Sequence, residues 1–270
     1  MPVVRFERYV AIGDSSTEGL EDRDGKGGYR GWSARLATKI AAAQGGLLYA
    51  NLAVRGRSTR EIRDQQLGPA VAMRPDLATV FSGTNDVLGL RFDAKSVVTD
   101  MELIQGELIG AGATVLTFTL PDLTPLMPIA RWIAPRIHAM NQGLRRACAR
   151  TGTILLDFAD HPVATDARLW SEDRIHANAL GHERIAEALY HALGPPDARE
   201  DWKAPLPPRE PTTLRQRCMV EITWMRRHFL PWMLGLHAHS LPSPRPSRPE
   251  LGPVFVREEP RAASPPVSRP

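Results

Sequence analysis

A three-layer α/β/α sandwich on a five-stranded parallel sheet is the fold this sequence predicts. Short segments rich in β-branched residues alternate with segments of helical period, the sign of successive βαβ units. The strand candidates are residues 8–13, 47–52, 77–82, 114–120 and 153–157. Between them Trp32, Leu36, Ile40 and Ala43 recur at helical spacing, then Val97, Met101, Ile104 and Leu108, and last Ile185, Ala186, Leu189 and Leu193. Each set makes one buried stripe. Right-handed crossovers then place helices on both faces of the sheet, a flavodoxin-like arrangement whose ligand crevice lies beyond the carboxyl ends of the strands.

Composition divides the chain. Of its 24 prolines, 16 lie from Pro195 onward, and Gly194-Pro195-Pro196 reads as the end of the globular domain. The expected organisation is a domain over 1–194, a linker with a basic amphipathic segment over 195–240, and a Pro-, Ser- and Arg-rich tail without packed structure over 241–270. Residues 1–194 carry 22 basic and 22 acidic side chains, so the formal net charge of +4 belongs to the tail. No basic face with interleaved aromatics occurs in the domain, and no nucleic-acid partner is expected. Cys148 and Cys218 have neither disulfide-framework nor metal spacing, and neither a metal nor a cofactor is expected. The N-terminus lacks an apolar signal segment and the longest apolar run of the tail is too short to span a bilayer, so the expected location is cytoplasmic.

The chemistry sits at strand ends. Gly13-Asp14-Ser15-Ser16-Thr17-Glu18-Gly19 follows the first strand, which aims Ser15 into the crevice; taken alone, Ser15 reads equally as a helix cap. Asp173-Arg174-Ile175-His176 follows the fifth strand. A serine nucleophile needs a base, and a histidine held by a carboxylate is one that titrates near neutrality. Acyl transfer also needs donors for a developing oxyanion: Gly56 after the second strand offers a backbone N–H, and Asn85 after the third offers its amide.

The segments GDSSTEG, NLAVRGRS, SGTND and DRIHANALGH resemble those of the SGNH (GDSL-like) hydrolases, with the four letters on Ser15, Gly56, Asn85 and His176. The resemblance spans about residues 8–193. It implies a serine esterase or lysophospholipase-like enzyme with Ser15 as nucleophile and Asp173 orienting His176. It also implies an oxyanion hole of Ser15 N–H, Gly56 N–H and the Asn85 side chain. Ser16 stands where many relatives have leucine, which changes a pocket wall and no catalytic group. A thioesterase or acyltransferase on the same site is the alternative, as is a tail-driven interaction protein on a vestigial hydrolase fold.

Asp14 and Asp86 are expected to brace loops, and His138, His182 and His191 to be surface or packing residues. His161 is a weaker rival for the base, and His237 with His239 forms an isolated metal-type pair in the tail. The apolar segment 121–135, with Leu126, Met127, Ile129, Trp132 and Ile133, reads either as a lid over an acyl chain or as the start of a helix, and its character favours a lipid-like or aryl ester. Residues 214–236 combine arginines with tryptophans and aliphatics; peripheral contact with anionic membrane and packing against the domain are both open. Since every catalytic candidate precedes Pro195, the tail is expected to be dispensable for hydrolysis of a soluble ester. Oligomeric state has no sequence signal.

Overall fold

The computed structural model describes residues 5–208, 213–234 and 252–254. In chain order the domain runs β1 (Arg8–Gly13), α1 (Ser15–Glu18), α2 (Gly31–Gln44), β2 (Leu47–Asn51), α3 (Thr59–Ile62), α4 (Gly68–Ala72) and β3 (Leu77–Phe81). It continues with α5 (Thr84–Leu88), α6 (Ala94–Gly110), β4 (Thr114–Phe118), α7 (Ala134–Thr151), β5 (Ile154–Leu156) and α8 (Ala179–Ala192). All five expected strands pair in parallel, in the order β5-β4-β3-β1-β2. β1 ends where expected, and the other four strands end one or two residues before their predicted carboxyl ends. There the chain leaves the sheet for the crevice loops, although Leu52 N–H still reaches the Ala11 carbonyl (2.8 Å) and Thr119 N–H that of Leu156 (3.2 Å).

Alternation along β1 sorts its side chains between two cores. Tyr9 and Ala11 pack with Trp32, Leu36 and Ile40 of α2 and with Ala186 and Leu189 of α8. Val10 and Ile12 face the other way, against Ile62 of α3 and Met101, Ile104 and Leu108 of α6. A strand covered on both faces is apolar at nearly every position, which is why β1 after Arg8 and β3, broken only by Thr79 bonded to the Tyr9 hydroxyl, read as apolar runs. The expected stripes hold except at Ala43, which is exposed near the end of α2.

Beyond the domain, α9 (Leu214–Trp224) continues through a wide π-helical turn, Met225–Phe229, into α10 (Leu230–Met233), and β6 (Gly252–Val254) pairs antiparallel with β2. This sixth strand lies in the stretch read from sequence as lacking packed structure; its Pro253 is tolerated because the strand is an edge. The rest of 241–270, and the His237/His239 pair, lie outside the described residues. The segregation of basic and apolar faces expected over 214–236 is not realised in α9. Leu214, Met219, Val220 and Ile222 are spread around the helix and exposed, while Trp224 is buried in the α2/α8 core. No helix among the described residues is long and apolar enough to cross a membrane.

One close approach seats α1 against α2. Gly31 has φ +66°, and a Cβ added there would lie 2.3 Å from the Cα of Gly19. Neither backbone has room to give, so Gly31→Ala should destabilise the protein by about 1–3 kcal/mol. A thermal melt should show Tm lowered by roughly 3–10 °C; an unchanged Tm would mean that this contact does not constrain the fold.

Candidate active site

The sheet order sets the location. From β1 the chain crosses to β2 on one side, while β3 pairs on the other, so a crevice opens where the connections diverge. Ser15 enters it at the first position of α1. Asp14 caps that helix, its Oδ1 accepting from Ser16 N–H (3.0 Å), and Gln66 brackets the preceding turn by accepting from Gly13 N–H (2.8 Å) and donating to its carbonyl (2.9 Å).

Ser15 Oγ lies 2.7 Å from His176 Nε2, and His176 Nδ1 lies 2.7 Å from Asp173 Oδ2. One acceptor and one donor flank the imidazole in the order a serine-activating base requires: Nδ1–H donates to the Asp173 carboxylate, and Nε2 accepts from the Ser15 hydroxyl. The other carboxylate oxygen, Asp173 Oδ1, accepts from Ile175 N–H (2.9 Å), His176 N–H (3.0 Å) and Ser171 Oγ (2.6 Å). Burial works against the Asp173 charge, but its bond and attraction to His176 with these donors outweigh it and hold the carboxyl well below its usual range. Burial likewise disfavours the His176 imidazolium, and the Asp173 contact reverses that, raising the group above an ordinary histidine.

The other two candidates are tied to this chain of bonds. Asn85, in the first turn of α5, donates Nδ2 to the Arg57 carbonyl (3.0 Å) and, at a longer 3.3 Å, to Asp14 Oδ2. Gly56 precedes Arg57 with φ +76°, and among the described residues no acceptor takes its N–H. Neighbouring Arg55 is locked from below by Glu18, whose buried carboxylate accepts from Arg55 N–H (2.8 Å), Nε (3.1 Å) and the guanidinium terminus (2.6 Å). Glu18, Gln66 and Ser171 were not singled out from sequence; a buried-acid role for Glu18 has one hint there, its position three residues after Ser15 on the same short helix.

Asp86 braces as expected, with Oδ2 accepting from Thr59 N–H (2.9 Å) and Oγ1 (2.8 Å). Asp14 does the same but carries a further property: full burial pushes its carboxyl up to about 7, against the opposing bond from Ser16 N–H. His182 is a buried packing residue, accepting from Trp32 N–H at Nδ1 (3.1 Å) and bonded through Nε2 to the Leu20 carbonyl (2.9 Å); burial lowers it to about 4 and keeps it neutral. His138 is exposed beside Gln142, and His191 is half-buried near Glu200. His161 packs edge-on against Trp202, away from the Ser15–His176–Asp173 chain. Among the described residues no group of His, Cys, Asp or Glu is placed to hold a metal.

Ser15 and His176 open onto a pocket of about 900 Å³, its solvent-open mouth included, walled by Phe81, Val87, Phe118, Leu123, Ile137 and Phe158. Stacked Phe81 and Phe118 (4.1 Å between centroids) with Phe158 edge-on (5.6 Å) make the wall rigid. From segment 121–135, Leu123 and Ile133 line this pocket, Leu126 and Met127 are buried in the core, and Trp132 is exposed. The segment serves as wall and as packing together.

Residues 11–184 match the model of the GDSL-like Lipase/Acylhydrolase family. No curated protein sequence matches the chain. Among solved structures, the fold is similar to TesA (20% identity, TM-score 0.59, 70% of this chain and 99% of that one). It is also similar to LAE5, an alpha/beta hydrolase enzyme from the metagenome of Lake Arreo, Spain (23%, 0.59, 70% and 95%). A third is Axe2, an acetylxylan esterase from Geobacillus stearothermophilus (18%, 0.60, 74% and 100%). At these identities the likeness is one of fold.

Replacing Asp173 with Asn would remove the largest influence opposing burial at His176 and leave only the weaker attractions of Asp14 and Glu21, so its pKa should fall from the wild-type value. An NMR titration of the ring protons measures this directly. A pKa unchanged from the wild-type value would mean that Asp173 does not govern the imidazole.

Proposed function

We propose that this chain, which belongs to the GDSL-like lipase/acylhydrolase family, is a serine-dependent ester hydrolase working through an acyl-enzyme on Ser15. The observation that carries the reading is the unbroken hydrogen-bond chain Ser15–His176–Asp173 at the mouth of an apolar pocket. In this reading the acyl chain lies along Phe81, Phe118 and Phe158, and the alcohol portion faces the open side. Ser15 Oγ attacks the ester carbon as its proton passes to His176 Nε2, and the imidazolium is stabilised by Asp173. Collapse of the tetrahedral intermediate expels the alcohol, which takes the proton from His176. Water activated by the same imidazole then releases the acid.

The developing oxyanion is assigned to Ser15 N–H, Gly56 N–H and Asn85 Nδ2. The long Asn85 bond to Asp14 is the one the oxyanion replaces, while the shorter bond to Arg57 keeps the amide oriented. A raised Asp14 pKa supports this, since a carboxyl partly neutral near pH 7 opposes the new negative charge less than a full carboxylate. The apolar acyl wall also favours a second reading, a thioesterase or acyltransferase, because those reactions share the acyl-Ser15 intermediate and differ only in what meets it from the open side. A vestigial hydrolase fold is disfavoured by the completeness of the bonded chain.

Ser15→Ala and His176→Ala should each lower kcat/KM by about 10³-fold or more, and the double variant should be little worse than either, because the pair acts as one unit. Steady-state kinetics on p-nitrophenyl esters reads this out; additive losses would contradict the pairing. Across an acyl-length series, kcat/KM should rise from acetate to a medium chain as apolar area is buried, by roughly 0.8 kcal/mol per added methylene until the pocket is filled. A preference for acetate would mean that the pocket does not hold the acyl group.

A further inference from the structure

Arg174 stands between Asp173 and His176 with φ +63°, a left-handed conformation that costs a residue bearing a Cβ. The turn it makes lets one oxygen of Asp173 accept from both Ile175 and His176 N–H, while Arg174 N–H donates to the Ser171 carbonyl (3.1 Å). The side chain is what keeps the turn. Its guanidinium donates to the Leu126 carbonyl (3.0 Å) and to both oxygens of Glu221 (2.9 and 2.7 Å), and lies 4.8 Å from the centroid of the Trp224 ring. The Trp224 indole N–H in turn donates to the Asp173 carbonyl (3.2 Å). Glu221 and Trp224 are three residues apart on α9, so they share one face of the helix. That face grips the Asp173–His176 loop through Arg174 and the Asp173 carbonyl.

We propose that α9 is a positioning strap for the catalytic acid: Glu221 and Trp224 hold Arg174 in its left-handed turn and thereby keep Asp173 aligned on His176. The proposal rests on the Ser15–His176–Asp173 reading above. It makes the C-terminal segment part of the catalytic apparatus, contrary to the expectation from sequence that hydrolysis of a soluble ester needs only residues before Pro195. Glu221 and Trp224 touch no reacting atom; they act through Arg174 and Asp173.

The test uses the full chain with Glu221→Gln and Trp224→Phe, assayed on a soluble p-nitrophenyl ester across pH. His176 faces Asp173 in its own loop, Asp14 at the cap of α1, Glu21 just beyond α1 and His182 on α8. Of these only Asp173 is touched by α9, so a shift in the acid limb reports on that contact. Each variant should lose kcat by about tenfold with KM within about twofold, since the defect is one of alignment and not of substrate binding. The acid limb of the kcat profile should move to lower pH, because a looser Asp173 raises His176 less. Adding Arg174→Gly to either variant should restore most of the lost kcat, as glycine adopts the left-handed turn without a strap. An unmoved acid limb, or lost kcat that glycine does not restore, would overturn the strap. Should Trp224→Phe fail to fold, Glu221→Gln decides alone, its side chain being 52% exposed. Retained activity in Ser15→Ala would instead sink the underlying serine mechanism, whatever the strap variants do.

Discussion

The 2.7 Å bond between Ser15 and His176 joins groups 161 residues apart, and most of the fold is what it takes to close that distance. Ser15 is delivered by the central strand of the sheet, whose side chains are buried on both faces and whose carboxyl end cannot drift. His176 is delivered by the loop ahead of α8, and α8 is packed across α2 with its first turns fixed by Asn178 and His182. The same two helices bury Trp32 and Leu36 against the sheet, so the packing that stabilises one face also sets the spacing of Ser15 and His176.

Electrostatics inside this frame are a contest between burial and pairing. At Asp173 pairing wins, through His176, two backbone N–H groups and Ser171. Asp14 is buried more deeply and has fewer donors, and there burial wins. Two carboxyls near one imidazole thereby differ in charge near neutral pH, one a fixed anion and the other partly protonated. The buried Glu18–Arg55 pair solves a different problem: Glu18 satisfies the Arg55 backbone N–H as well as its guanidinium, so the charge that stiffens α1 also fixes the loop carrying Gly56.

The parallel sheet could be read from sequence because a strand buried on both faces has little freedom of composition; β1 shows it from Tyr9 to Gly13. Ser15, His176, Gly56 and Asn85 stand out as candidates in the sequence because chemistry in such folds collects at strand carboxyl ends, so candidates at four ends point to one place. The supporting residues could not. Gln66 acts from a π-helical turn that no propensity announces, and Ser171 reads as a loop serine like any other. Arg174 carries no signal in the sequence, since neither its left-handed backbone nor its partner Glu221, 47 residues on, has a local signature. The tail left two readings open for the same reason: its composition fits membrane contact and packing equally, and the burial of Trp224 is defined by what that residue touches and not by its spacing.

The central claim is that Ser15 is a nucleophile activated by His176. An organophosphonate reagent that mimics the tetrahedral intermediate tests it most directly, with the adduct located by peptide mass spectrometry. The account predicts a single covalent adduct on Ser15, formed faster as pH rises and His176 loses its proton, and abolished by His176→Ala. No adduct, or one on another residue with Ser15 unmodified, would contradict it.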